Sequence, residues 1–484
     1  MRFLKKGAIL GGIIIAKWID EVYVLVWGAP TLLLILGTGI LLTLKTRFAQ
    51  LRLLPMACRE FVRKLLGKAE NGKGISSFQA LCTALAATVG IGNLAGVAGA
   101  IALGGPGAIF WMWVSGLLGM AVKFAEATLA VHFRRKDAQG NYIGGPMYMI
   151  ESGMSPQWKF LGAVYCFFGV VSAFGMGNAT QVNAVIGGIR EAACSLGTEL
   201  TPEWNVLFGV VLAAILGIVL FGGAKRIAGA AELLIPFAAG GYILLCIGAL
   251  CLRWQMIPKA FISILEGAFC PRAVTGGAVG SVFMVLRIGV SRGVFTNEAG
   301  MGTASIAHAG AAIDHPVRQG LMGIMEVFLD TIVICTLTAL VILCSGIPIE
   351  YGYDAGAALT SRAFCAVLGD WAGVLIAAFL SLFAFATILG WGLYGARCAE
   401  YLFGQDIWRN FALLQMVAVV LGALLNAAML WRMAEIVNGL MAIPNLIALW
   451  ALSPKFKQLL FDFNCGRSTA DGGTYEDFHQ CKPL

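Results

Sequence analysis

Apolar residues in this chain fall in long runs, not in the strict alternation of a half-buried strand or the single stripe of a surface helix. Eleven runs reach spanning length: residues 22–44, 77–103, 107–133, 158–189, 204–222, 228–252, 277–308, 318–345, 367–394, 409–427 and 432–452. A hydrocarbon core of about 30 Å takes about 20 helical residues to cross. The connectors are short, and a polar stretch, 453–484, closes the chain. The pattern predicts an all-α integral membrane protein with about eleven transmembrane helices.

Composition narrows this further. Hydrophobic residues make up 59% of the chain and charged ones 12%, with a mean hydropathy of +0.83. Soluble domains carry about 25% charged residues. An ordinary cytosolic enzyme and a disordered scaffold are both excluded. The 62 glycines, 12 tryptophans and 29 phenylalanines suit a helical bundle in lipid, where small residues let backbones approach.

The net charge of +8 would suit nucleic acid only if the cations shared one face. They are scattered, so no nucleic-acid partner is expected. Lys and Arg number 18 in segments 45–76, 134–157, 223–227, 309–317, 395–408 and 453–484, against about ten in the opposite connectors and the N-terminus. Positive-inside then places the N-terminus outside and the C-terminus in the cytoplasm of a bacterial-type inner membrane, although Lys5 and Lys6 oppose it. No small-x-small site follows the apolar run Gly7–Ala16, so no cleaved signal peptide is expected. Lys45–Lys73, with Arg52, Arg59, Arg63 and Lys64 among Leu, Phe and Met, reads either as an amphipathic helix on the inner leaflet or as a solvated basic loop. The 13 cysteines include no Cys-x-x-Cys pair. Cys82, Cys166, Cys246, Cys335 and Cys344 are expected as small buried hydrophobes, with no disulfide framework or zinc site.

Two runs are poor material for plain spans. In the first, Thr88-Val89-Gly90-Ile91-Gly92-Asn93 interrupts an apolar helix. In the second, Arg287, Arg292 and Glu298 surround Gly289-Val290-Ser291-Arg292-Gly293. Unwound backbone is tolerated at membrane depth only where it faces protein or a cavity, and charges there need partners. With the first run set aside, ten remain, and each break opens one set of five. Interruptions at matching places in two halves point to an inverted-repeat transporter. The expected divisions are 1–76 (N-terminal helix and amphipathic segment), 77–252 and 253–452 (five helices each) and the tail 453–484. A half-helix N-terminus attracts a carboxylate, and unwound carbonyls are hard ligands for a small cation. Glycine packing alone explains Gly92–Gly96 but not the charges.

Two other motifs match. Gly90-x-Gly92-x-x-Ala95 fits a dinucleotide fingerprint but lacks the preceding strand and the later acid. Gly289-x-Ser291-x-Gly293 fits a nucleophile elbow, with His308 further on, and makes an intramembrane serine hydrolase the enzyme alternative. A passive channel is the other rival. Glu126, Glu326 and Asp330 are either ion relays or buried partners of Lys123 or arginines.

The chain resembles the alanine/glycine:cation symporter family. The resemblance rests on Phe78-Gln79-Ala80-Leu81, Val89-Gly90-x-Gly92-Asn93-Leu94-Ala95-Gly96, Ala102-Leu103-Gly104-Gly105-Pro106-Gly107, Gly144-Gly145-Pro146-Met147-Tyr148, Arg292-Gly293-x-Phe295-x-Asn297-Glu298-Ala299-Gly300 and Phe385-Ala386-x-x-Leu389-Gly390-Trp391. It implies a five-plus-five inverted-repeat fold with one extra N-terminal helix. It also implies import of alanine or glycine coupled to sodium or protons, with no enzyme activity, no cofactor beyond the co-transported Na⁺ and no obligatory protein partner.

Residue by residue, the resemblance implies a substrate site of Thr88, Gly90, Gly92, Asn93, Gln181, Met284, Ile288, Gly289, Thr387 and Trp391. The last pair, four apart, share a helix face. A cation would lie among Ala86, Val89, Phe383 and Thr387. No acidic ion ligand is implied in the second run, where Cys82 and Thr83 stand.

Overall fold

The computed structural model describes residues 18–466 except 20, 24, 68–73, 196, 202, 278, 354–355 and 425–426. The run Gly7–Ala16 and the last part of the polar tail, 467–484, lie outside the described residues.

The chain opens with α1 (Ala29–Lys45), α2 (Ala49–Arg52) and α3 (Leu54–Leu66). It continues through α4 (Ser77–Thr88), a π-turn at Gly92–Gly96, α5 (Val97–Gly104) and α6 (Ala108–His132). A hairpin of β1 (Arg135–Lys136) and β2 (Tyr142–Ile143) pairs Arg135 with Ile143. Next come α7 (Pro146–Gly153), α8 (Phe160–Phe174), a second π-turn at Gly175–Ala179, α9 (Thr180–Ser195), α10 (Glu203–Leu220) and α11 (Gly223–Leu252). The second half holds α12 (Ile257–Phe269), α13 (Pro271–Thr275), α14 (Val282–Asn297), α15 (Thr303–Ala309) and α16 (Pro316–Val327). A π-helical stretch, Phe328–Cys335, leads into α17 (Thr336–Cys344), then α18 (Gly356–Leu368), α19 (Trp371–Phe403), α20 (Trp408–Gly422) and α21 (Ala427–Asn464).

Among the described residues seven helices are long and apolar enough to cross a membrane. The bent pair Ser77–Thr88 and Gly92–Gly104, turned by 52°, adds an eighth. Three predicted runs fall short of spanning length as single helices. Run 22–44 gives α1, 17 residues long; run 409–427 gives α20, 15 residues; run 277–308 divides into α14 and α15.

The helices are sided as a bundle in lipid requires. On α11, Leu233, Phe237 and Leu244 are exposed, while Ile227, Ala231, Ile235, Ala238, Tyr242 and Cys246 are buried. The outward face is thus apolar too, the reverse of a water-soluble helix, and Ala231 and Ala238 let neighbouring helices approach on the buried one. The described part of the basic segment, 45–67, takes the amphipathic form: α3 buries Ala57 and sets Phe61 6.3 Å from Phe78 of α4, while Arg59 and Arg63 are exposed.

Two connectors hold more structure than their polarity indicates. Segment 253–276 holds α12 and α13, and on α12 Phe261, Ile262, Leu265 and Phe269 are exposed while Ala260, Ile264 and Ala268 are buried. The expected tail begins instead as a continuation of α21 to Asn464. Phe456, Leu459 and Leu460 are buried there, and Phe456 meets Phe124 edge-on at 5.1 Å. Burial of that apolar stripe outweighs Pro454 as a helix breaker.

Helix α6 lies at the centre, packed against α14 and α16, and α19 packs against α8 and α9. These two contact systems carry the site.

Candidate functional site

Helix α4 starts with a capping box. Ser76 Oγ accepts from the Gln79 N–H at 3.0 Å, and Gln79 Oε1 accepts from the Ser76 N–H at 2.9 Å. The helix ends at Thr88, where Val89 is extended (φ −74°, ψ 95°). The Gly90 N–H then donates to Asn93 Oδ1 at 2.9 Å. This local bond takes the place of one rung of the helical ladder and fixes the bend between Thr88 and Gly92.

Two other helices reach the bend. A methyl group built on Gly90 would lie 2.7 Å from Thr387 Oγ1 and 3.8 Å from Gln181 Oε1. Gly90, Thr387 of α19 and Gln181 of α9 therefore converge on one point. One built on Gly390 would lie 2.8 Å from Ala87 Cβ, so α19 meets α4 through glycine as well. Gln181 Nε2 donates to the Met176 carbonyl at 3.2 Å, but Oε1 is buried with no hydrogen-bond partner. The Thr387 hydroxyl donates to the Phe383 carbonyl at 3.0 Å and keeps acceptor capacity. Trp391, one turn on, is fully buried.

The remaining residues divide into two groups. Thr88 sits in the last turn of α4, its hydroxyl donating to the Ala84 carbonyl at 3.2 Å. Gly92 lies against Thr296, 3.0 Å from its methyl by the same construction. Ala86, Val89 and Phe383 are buried, and the Phe383 ring packs 5.9 Å from Tyr242. Ile288, by contrast, lies against Gly104, at the far end of α5. That is about 20 Å along the helix from Gly90. Gly289 meets Ala108 and Trp111 of α6, and Met284 lies one turn further from the bend. These three are not brought to the Gly90 cluster.

The second break does not fall where the glycines of the sequence suggest. Helix α14 is continuous through Gly289, Ser291 and Gly293 to Asn297. Gly289 and Gly293 admit the backbone and side chains of α6: a methyl group on either would collide with Ala108, Trp111 or Ser115. The chain leaves the helix at Glu298 (φ 52°), Gly300 (φ 93°) and Gly302 (φ 76°). Glu126 of α6 holds this gap, its Oε1 accepting from Gly300 N at 3.1 Å, Gly302 N at 3.2 Å and Asn445 Nδ2 at 2.6 Å. The Gly300 and Gly302 N–H groups are thus taken by the protein's own carboxylate. Ser291 lies within a helix, not at a strand–helix turn, so the nucleophile-elbow geometry is absent there.

A buried polar string joins the two breaks. Asn93 Nδ2 donates to Asp330 Oδ1 at 2.6 Å, and the Thr331 hydroxyl donates to Asp330 Oδ2 at 2.8 Å. Asn297 Nδ2 donates to Thr331 Oγ1 at 3.1 Å, and Asn297 Oδ1 accepts from Ala299 N at 2.9 Å. Asn93 therefore turns toward Asp330 and the second gap. The π-helical stretch around Asp330 supplies the displacement that brings its carboxylate inward, as such bulges commonly do at sites.

A second string neutralises the other charges. Lys123 Nζ pairs with Glu326 Oε1 at 2.8 Å, and His308 Nε2 lies 3.1 Å from Glu326 Oε2. Gln319 Nε2 donates to His308 Nδ1 at 2.8 Å, so Nε2 of that ring carries the proton toward Glu326. Of the two readings of the buried acids, pairing holds for Glu326. Arg292 meets Glu435 at 3.5 Å, and Arg287 is exposed. The string through Asn297 and Thr331 was not read from the sequence. Its only sequence signal is an aspartate deep in an apolar run.

The comparisons with known proteins agree with this architecture. Residues 13–476 match the model of the sodium:alanine symporter family. The sodium/alanine symporter AgcS of Methanococcus maripaludis is 43% identical over 439 residues, covering 90% of this chain and 94% of that protein. The probable sodium/glutamine symporter GlnT of Bacillus subtilis is 37% identical over 442 residues, covering 91% and 88%. Among solved structures, MhsT in complex with L-phenylalanine superposes with a TM-score of 0.54 at 13% identity, covering 81% of this chain and 90% of that one. That last likeness is one of fold. With the family model spanning nearly its whole length, this chain belongs to the sodium:alanine symporter family.

Proposed function

We propose that the protein is a secondary active transporter that imports a small neutral amino acid, alanine or glycine, coupled to sodium by alternating access. The observation that carries this reading is the meeting of Gly90, Thr387 and the unpartnered Gln181 Oε1 at a bend in a membrane helix. A buried carbonyl oxygen without a donor is costly, at about 1–3 kcal/mol, unless a ligand supplies one. The ammonium group of an amino acid would do so. The first turn of the half-helix that begins at Gly92 offers N–H groups and the positive end of a dipole to the carboxylate. The second gap cannot play this part while Glu126 occupies its donors.

The cation would lie among the carbonyls of Ala86, Val89 and Phe383 with Thr387 Oγ1. A cation there and a carboxylate at Gly90 lower each other's desolvation cost, which couples their binding reciprocally. A tenfold sodium gradient supplies about 1.4 kcal/mol and 100 mV about 2.3 kcal/mol more, enough for roughly 500-fold accumulation per ion. The five-plus-five repeat, with the N-terminus outside and the C-terminus cytoplasmic, belongs to this reading. Proton coupling of the same substrates is its variant.

Uptake of radiolabelled alanine into proteoliposomes, with external Na⁺ exchanged for K⁺ or choline at fixed pH, tests it. Sodium alone should drive accumulation. Equal uptake in all three salts would remove sodium coupling, and a failure of counterflow would favour a passive pore. Gln181→Ala should raise the alanine KM about ten- to a hundredfold, the worth of one hydrogen bond to a charged partner, with membrane insertion unchanged.

A further inference from the structure

We infer that Glu298 is a positioning residue for Trp391, holding its indole as a fixed wall that sets the size of side chain the site accepts. The inference rests on the transport reading above. Trp391 follows Thr387 by one turn on the same face of α19, and Gly177, which its side chain touches, precedes Gln181 by one turn, so the side chain lies one turn from the point where Gly90, Thr387 and Gln181 meet. It is the largest fully buried side chain of the described residues. A ring of that size discriminates among solutes only if it cannot swing aside.

Three contacts stop it. The indole Nε1–H, which can only donate, reaches Glu298 Oε1 at 3.0 Å. Glu298 is itself held, since its Oε2 accepts from the Thr303 hydroxyl at 2.6 Å. On the opposite flank Gly177 presses on the Trp391 side chain so closely that even a methyl group there would overlap it. Tyr394 packs against the ring at 68°, with centroids 5.8 Å apart.

The backbone at Glu298 supports the same role. It is one of three non-glycine residues with positive φ among those described, at 52°. Only Gly, Asn and Asp enter that region readily. Glu is held there where α14 ends, in the conformation that carries its carboxylate across to α19. The unwound segment of the second half is thereby tied to the pocket wall rather than to the solute. Because the contact is buried and made to a carboxylate, its loss frees the ring to move toward larger solutes.

The test is competition for radiolabelled alanine binding and uptake by alanine, 2-aminobutyrate and leucine, in wild type, Glu298→Ala, Trp391→Phe and the double variant. Glu298→Gln serves as the conservative control, because its amide oxygen can still accept from the indole. In wild type one extra methylene in a rigid pocket should cost roughly 10-fold or more in affinity. Glu298→Ala should narrow the alanine to 2-aminobutyrate ratio about five- to tenfold, the worth of one buried hydrogen bond. Trp391→Phe removes the same bond from its other end and shrinks the wall as well, so adding Glu298→Ala to it should change nothing further, and Glu298→Gln should keep the wild-type ratio. A wild type that accumulates alanine while Glu298→Ala leaves the ratio unchanged overturns the latch and leaves transport standing. Independent, multiplicative effects in the double variant overturn it too. A wild type that fails to accumulate alanine overturns the transport reading, and the latch with it.

Discussion

At Gly90 the need for the smallest residue comes from a neighbour, not from the local backbone. The Thr387 hydroxyl occupies the space a methyl group would take, at 2.7 Å. Gly90→Ala should therefore push α4 from α19, with an expected tenfold or greater rise in the alanine KM measured by proteoliposome uptake, while the protein still inserts and elutes as a single species. Gln181 and Thr387, named from the family resemblance, do meet Gly90. Ile288 and Met284 do not, and apolar residues in an apolar helix carry no mark of which neighbour they face. Ile288 packs on Gly104, away from the bend.

Among the elements, the two broken helices differ in how legible they were. The first break coincides with its glycines because the bond that stabilises it, Gly90 N–H to Asn93 Oδ1, spans three residues. The second lies at Glu298–Gly302, beyond Gly289 and Gly293. What determines its place is a carboxylate 174 residues away, Glu126, whose position no local pattern can announce. Glu126→Ala leaves the N–H groups of Gly300 and Gly302 buried without that acceptor, at about 1–3 kcal/mol each. Hydrogen exchange of a peptide covering Glu298–Thr303 should speed up by tenfold or more in that variant, with α4 little changed; unchanged exchange would mean that the gap holds itself.

Across the whole molecule, the all-helical, membrane-spanning class was open to sequence reading because lipid imposes length and polarity directly; the count was not, since seven helices of the described residues, or eight with the bent pair, reach spanning length where eleven runs were expected. Helix pairing was not, because it is set by buried ionic contacts between distant segments. Lys123 of α6 and Glu326 of α16, both without solvent access, join the central helix to the second half at 2.8 Å. Removing one partner strands the other: Lys123→Met should destabilise by about 3–5 kcal/mol, visible as a lower unfolding midpoint in detergent. The double variant Lys123→Met/Glu326→Gln should recover most of that loss, and equal midpoints for wild type and Lys123→Met would mean that His308 alone satisfies the carboxylate. The tight meeting of Gly90 with α19 has a consequence for turnover. A methyl group on Gly90 would already overlap the Thr387 hydroxyl at 2.7 Å, so on the transport reading an arriving solute must wedge the two helices apart, and part of its intrinsic affinity is spent in doing so. Bulk added at Gly90 fills the seam instead of freeing it, so only a change that parts the helices without entering that space would spare the solute this cost.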